Sequence, residues 1–174
     1  MSKAFTSEET PESGPVTRAP PTLAPGEVRY ITPEGHAALR ESLAKLKDER
    51  AAATGLPETE RGPVLADLDQ KIAFTEATLA AVTVLGPKDA PADRVAFATW
   101  VTVEDEDGET STWRIVGPDE TDVRRGLVSV HSPVARALMG HGVGDTVEVQ
   151  RPGGKVELTI VAVWTSPPDA HSGR

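Results

Sequence analysis

No cysteine occurs in the 174 residues. Disulfides and thiolate metal sites are therefore excluded, and the composition suits a reducing compartment. Aromatic residues make up only 4% of the chain, too few for a base-stacking surface or a rich ligand pocket. Positive charge is also short: 18 Lys and Arg stand against 27 Asp and Glu, a net charge of -9. A protein that grips DNA or RNA by itself needs a basic face, so autonomous nucleic-acid binding is not expected, whereas an acidic chain can seek a basic surface on another protein. No apolar run is long enough to span a bilayer, and the opening "MSKAFTSEETPESGP" lacks the apolar core of a signal peptide. Both point to the cytoplasm and away from a membrane.

What is present falls into segments. Residues 1–29 hold five of the fifteen prolines (Pro11, Pro15, Pro20, Pro21 and Pro25) among Ser, Thr and Glu, with almost nothing bulky and apolar. Such a stretch cannot bury enough surface to offset its ordering entropy, and a flexible tail is expected; residues 166–174 are read in the same way. Helical rhythm fills residues 30–85. Thr32 can cap a helix with Pro33 at its first position, after which His36, Leu39, Leu43, Leu46 and Ala53 recur at spacings of three, four and seven. Leu65, Leu68, Ile72, Thr75, Leu79 and Val82 then alternate spacings of three and four without a break. That is the seam of a coiled coil, and the Gly- and Pro-bearing "TGLPETERGP" (54–63) between the two runs predicts an antiparallel helical hairpin.

Residues 86–93 read as a linker, and beyond them the apolar period becomes two. "RVAFATWVTVED" and "TSTWRIVG" predict strands joined at Asp107-Gly108, a strong hairpin signal. "GLVSV" predicts a short strand, and "SPVARALMG" a short helix capped by Ser132 with Pro133 at its first position. "DTVEVQR", the turn "PGG" and "KVELTIVAVW" predict a closing hairpin. The fold class is α+β: a helical hairpin followed, over 94–165, by a small, mostly antiparallel β domain with one short helix. Trp100, Trp113 and Trp164 alternate with polar residues and are expected in the core.

Catalytic constellations are sparse. His36, His131, His141 and His171 are scattered, with no metal-ligand spacing, and no phosphate loop, dinucleotide fingerprint or nucleophile elbow is present. Ser132 follows His131, but neighbours in sequence do not make a triad, and capping explains the serine. The acidic run from Glu104 to Asp107 lacks the length and glycine placement of a calcium loop. The residues therefore predict no independent enzyme and no metal site.

Two sets of motifs resemble a known family. "RIVG", then "DE", then "SVHSPVARALMG", "VGD" and the closing "PGG" follow the order and spacing of the C-terminal domain of the GreA/GreB transcript-cleavage factors. "YITPEGHAALRESLAKLK" is similar to that family's first helix, so the resemblance spans about residues 30–165. It implies an FKBP-like second domain that docks at the rim of the secondary channel of bacterial RNA polymerase, with the coiled coil entering the channel. The partner it implies is the polymerase, nucleic acid being met only through the elongation complex, and a monomer is expected. The docking role passes to Ser129, His131, Ser132, Pro133 and Ala135, His131 standing where the family more often has Asp or Asn. An FKBP-like fold also raises prolyl isomerase activity as a remote alternative.

The resemblance gives "TGLPETERGP" its meaning. Cleavage-active members carry Gly-Asp-x-x-Glu-Asn-Ala-(Glu/Asp)-Tyr at the tip, whose carboxylates hold a second Mg²⁺ in the polymerase active site. Here only Glu58 and Glu60 are offered, without that frame. Against the family the hairpin is also shorter by roughly fifteen residues, or about 10 Å of reach at ~1.5 Å per residue. The expectation is a channel-binding regulator without strong cleavage activity and with no cofactor of its own; a cleavage stimulator using Glu58 and Glu60 is the alternative.

Overall fold

In the computed structural model, residues 28–168 are described; the two expected tails lie outside them except for their inner ends. The first element is a three-residue strand, β1 (Arg29–Ile31), followed by helix α1 (Pro33–Ala53) and helix α2 (Glu58–Ala81). Thr32 caps α1 as its sequence suggests: its side-chain oxygen accepts the Gly35 N–H at 3.1 Å, and Pro33 opens the helix. The two helices lie antiparallel, as the ion pairs Lys47–Glu76 (2.8 Å) and Arg50–Asp69 show: a step forward along α1 is a step back along α2. Their inward side is the heptad seam. Leu68, Thr75 and Ala53 are buried, and Leu39, Leu43, Leu46, Leu65, Ile72 and Leu79 are half-buried between the helices. Thr75 and Thr78 satisfy their hydroxyls within the helix, on the carbonyls of Lys71 and Phe74, so neither is left unpaired in the seam.

The tip differs from its expected form. The turn occupies only Thr54 to Pro57, and α2 starts at Glu58, running through Gly62 and Pro63. The amides of Glu60 and Arg61 both reach the Pro57 carbonyl (3.0 and 2.9 Å) and close a first helical turn before the proline is met. Pro63 has no N–H for the Thr59 carbonyl. That loss is small here because Thr59 is exposed and water can serve its carbonyl.

After α2 comes strand β2 (Val82–Val84), which pairs in parallel with β1. Neither strand was expected from the sequence. Three residues are too few for a visible period of two, and the pairing joins positions more than fifty apart. This ribbon brings the two ends of the hairpin together at its base.

The second part is a five-stranded sheet of β3 (Trp100–Asp105), β4 (Thr110–Val116), β5 (Leu127–Ser129), β6 (Thr146–Arg151) and β7 (Gly154–Trp164), in the order β5-β4-β3-β7-β6. All neighbours are antiparallel except β4 and β5. Helix α3 (Pro133–Leu138) covers one face. The core between them is aliphatic: Val95, Val101, Val103, Ile115, Leu138, Val149, Leu158 and Ile160 are each at most 2% exposed. At about 1.5–3 kcal/mol for each buried aliphatic side chain, this cluster is the main source of the domain's cohesion.

Two expectations for this part need correction. The strand expected from Arg94 begins only at Trp100, because Ala98 takes a left-handed conformation (φ 67°) and turns the chain. That bend is held by the Ala98 N–H on the Ile115 carbonyl (2.8 Å) and by Thr99, whose hydroxyl bonds both the amide and the carbonyl of Ala96. The tryptophans are also not central. All three are half-buried, and although Trp113 packs against the core, the Trp100 ring lies beneath the Arg114 guanidinium at 5.8 Å. The acidic run at Glu104–Asp107 ends β3 and enters the turn to β4, where the Asp105 carboxylate accepts the amides of Asp107 and Glu109 (3.1 and 2.9 Å). Among the described residues no helix is long and apolar enough to cross a membrane.

Leu138 is fully buried at the contact between α3 and the sheet. Leu138→Ala is expected to lower stability by about 3 kcal/mol, the usual cost of emptying such a site, read as the midpoint shift in urea denaturation. Asp69→Asn on the exposed Arg50 pair should move that midpoint little, since an exposed ion pair gains little over water. The Arg50 hydrogen bond holds Asp69 below the ordinary aspartate value of 3.8. Whatever the pair adds is thus complete above that value and is withdrawn as the pH falls below it.

Candidate functional site

Three places carry the candidate residues. The first is the segment from the end of β5 through α3. Ser129 ends β5, and its hydroxyl accepts the His131 amide at 3.2 Å. The Ser132 amide returns to the Ser129 carbonyl at 2.9 Å, and the Ser132 hydroxyl accepts the Ala135 amide at 3.2 Å. Ser129 and Ser132 therefore fold the corner that starts α3, and His131 and Pro133 stand exposed upon it. Ala135 does not: it is 0% exposed and packs into the aliphatic core. A methyl group inside the core cannot touch a partner, so its part in any docking surface is to hold the corner in place. The other four residues are brought together as one small surface.

The second place is the hairpin tip. Glu58 and Glu60 are exposed and occupy the first turn of α2. Their negative charge there is favoured by the unpaired amides and dipole of the helix start, which is reason enough for acidic residues at these positions. Residues two apart on a helix stand on different sides of it. The helical tip thus splays these carboxylates instead of converging them. No group of three or more His, Asp or Glu among the described residues comes together in a way that could hold a metal ion.

The third place, where the hairpin base meets the second domain, was not anticipated as a site. The Gly117-Pro118-Asp119-Glu120 segment after β4 folds into a single helical turn directly under the start of α1. The Glu120 carboxylate accepts the Thr32 amide (2.9 Å), the Gly117 amide (3.1 Å) and the Thr32 hydroxyl. Thr32 in turn accepts from Gly35, so one carboxylate terminates a chain of hydrogen bonds at the α1 N-terminus. Hydrogen bonds to a charged acceptor contribute about 1.5–3 kcal/mol each, roughly twice the neutral figure. Beside it, Arg29 forms a forked pair with Asp119; their side chains are 5% and 11% exposed. Arg114 bonds the Ala98 carbonyl (3.2 Å) and Glu34 (3.0 Å). Burial pushes the Glu34 carboxyl upward, but its backbone hydrogen bond and the charge and hydrogen bond of Arg114 outweigh that and hold it below the ordinary 4.5.

This interface is close. A side chain at Gly35 would overlap the Glu120 carboxylate, and one at Gly117 would strike the Tyr30 carbonyl. The Tyr30 ring packs against Phe97 at a tilt of 49°, with ring centres 5.7 Å apart. A cleft of about 560 Å³ opens beside the clamp, lined by residues that include Glu34, Trp100, Arg114, Asp122 and Arg125, with charges of both signs. The sequence signal was present in two halves. "ITPEG" and "VGPDE" each stood out, but nothing in their spacing said that they touch.

The described residues form a two-helix arm clamped to a small α+β domain. Comparisons with known proteins name the class. The family model "Transcription elongation factor, GreA/GreB, C-term" matches residues 90–165. The transcription elongation factor GreB of Pseudomonas aeruginosa is 39% identical over 153 residues, covering 79% of this chain and 90% of that protein. The transcription elongation factor GreA of Maridesulfovibrio salexigens is 36% identical over 148 residues, covering 76% and 92%. The chain belongs to the GreA/GreB family of transcription elongation factors. Among solved structures, the GreA/GreB elongation factor from Nitrosomonas europaea is 26% identical and covers 78% of this chain and 98% of that one. Its TM-score of 0.39 is too low to bear on how the two parts are arranged.

Ser132→Ala removes the α3 cap. It is expected to cost about 1 kcal/mol in a thermal or urea melt, with His131→Ala, whose side chain is exposed, within about 0.5 kcal/mol of wild type.

Proposed function

We propose that this chain is an elongation regulator that binds bacterial RNA polymerase in the cytoplasm, at the rim of the secondary channel, through the corner made by Ser129, His131, Ser132 and Pro133. In this reading the second domain is FKBP-like, the coiled coil points into the channel, and the protein acts as a monomer without a cofactor of its own. Nucleic acid is met only inside the elongation complex. The Mg²⁺ concerned belongs to the polymerase active site.

The observation that carries the absence of strong cleavage activity is the helical tip. Assisting hydrolysis of the transcript requires carboxylates that converge on one Mg²⁺ at about 2.1 Å and activate a water there. Glu58 and Glu60 stand two residues apart on a helix and diverge, so at best one of them addresses a given ion. The family's activity would then survive here as occupancy of the channel: a factor that competes with cleavage-competent relatives for the same rim. A prolyl isomerase would need an exposed aromatic pocket. Phe97 is buried, and the Trp100 ring is covered by Arg114, which leaves that alternative without support.

The test uses backtracked elongation complexes with labelled RNA. The protein is expected to leave RNA cleavage at its intrinsic rate while competing with a cleavage-competent Gre factor, and Glu58→Ala with Glu60→Ala should change neither result. Factor-dependent cleavage that disappears in the double variant would overturn the reading. Pro133→Glu in the full chain places a charge on the exposed corner and should weaken polymerase binding about tenfold, or 1.4 kcal/mol, in a direct binding titration. Unchanged affinity with an intact circular dichroism spectrum would remove the corner from the interface.

A further inference from the structure

We propose that Glu120, with the Arg29–Asp119 and Arg114–Glu34 pairs around it, is the positioning device that sets the direction of the coiled coil relative to the second domain. Its consequence for the channel rests on the function proposed above; the geometry itself belongs to the free protein.

Among the described residues, the side-chain hydrogen bonds named above between the two parts gather at the hairpin base, where Tyr30 also packs against Phe97. Arg29, Thr32 and Glu34 reach across from the hairpin base, and Asp119, Glu120 and Arg114 meet them from β4 and the turn after it. The covalent connection, residues 86–93, is a linker with one short helical turn at Pro87–Asp89, half or fully exposed along its length. A linker of that kind tethers without orienting. The clamp orients because it grips the hairpin at more than one residue. Glu120 bonds Thr32 at the helix start, the Arg29–Asp119 fork bonds from the β1 strand, and Arg114 bonds Glu34 two residues beyond Thr32. Three separate restraints resist a rotation that one would leave free. Gly35 and Gly117 complete the device by leaving no room for a side chain between the surfaces.

Small losses at the base become large at the tip. Helix α1 has 21 residues. At ~1.5 Å per residue it is about 30 Å long, so a rotation of about 10° at its base moves the tip by about 5 Å. A tip that must enter a channel cannot tolerate errors of that size, which is why the polar clamp lies at the base although the tip itself carries no site.

The absence of cysteine permits a direct measurement. Thr59→Cys at the tip and Glu106→Cys on the β3–β4 turn are both exposed positions and accept spin labels. Double electron–electron resonance on the labelled full chain, without polymerase, should give one narrow distance distribution. Glu120→Ala, which deletes the acceptor, and Gly35→Ala, which keeps the charge but displaces it, should each broaden or shift that distribution, with circular dichroism showing both parts folded. Asp119→Asn keeps the shape of the buried pair and serves should either of those variants unfold; it too should broaden the distribution. A broad distribution in the parent protein, or unchanged distributions in folded variants, would overturn the proposal. Because polymerase is absent, neither result depends on the docking surface or on the cleavage assay.

Discussion

Everything distinctive in this molecule turns on one carboxylate at one helix start. An α-helix begins with backbone amides that have no partner in the helix, and Glu120 supplies acceptors for the start of α1 from a different part of the chain. A local capping residue would have met the same need. Thr32 is such a residue, and it does cap Gly35. By satisfying the helix start from the second domain, the fold makes the stability of α1 and the attachment of the domain a single interaction. Arg29 and Asp119 reinforce it at low exposure, where breaking one partner leaves the other charge without water or counter-ion.

The two ends of the hairpin follow opposite logic. At the base, polar groups are paired and packed around glycines, most of them shielded; at the tip, they are exposed and spread around a helical turn. Buried, directional bonds set geometry, whereas exposed carboxylates on a helix surface chiefly keep a turn soluble and complement the helix dipole. In the proposals made above, the contrast gives orientation to the base and leaves the tip without a metal site. In the proposed reading, binding falls to the second domain, where exposed side chains stand on a hydrogen-bonded corner. There Ser129 and Ser132 use their hydroxyls on the backbone, leaving His131 and Pro133 facing outward.

The parallel β1–β2 ribbon gives this division its mechanical basis. It ties the beginning of α1 to the end of α2 and delivers Arg29 and Thr32 to the clamp from a strand instead of a loose segment. Residues on a strand paired at both ends of a hairpin cannot drift independently. The hairpin thus meets the domain as one body.

Local spacing alone determined much of the architecture. Heptad recurrence from His36 to Val82 placed two helices face to face because side chains three and four apart share a helix side. Alternation from Trp100 to Trp164 placed strands, and Thr32, Ser132 and Asp107-Gly108 marked caps and a turn through short-range hydrogen bonding and backbone preference. The serines and proline of the proposed docking corner were equally readable, as their capping role is local. What spacing could not show was decided by contacts between distant segments. The β1–β2 ribbon and the left-handed bend at Ala98 depend on partners far along the chain, as does the burial of Ala135. The extension of α2 through Pro63 depended instead on whether the first turn could close on Pro57 before the proline was met. The clamp is the clearest case. Thr32 and Glu120 are 88 residues apart, and a carboxylate whose local partner is the Gly117 amide becomes a joint between the two parts only when folding carries it to a helix start with amides to spare.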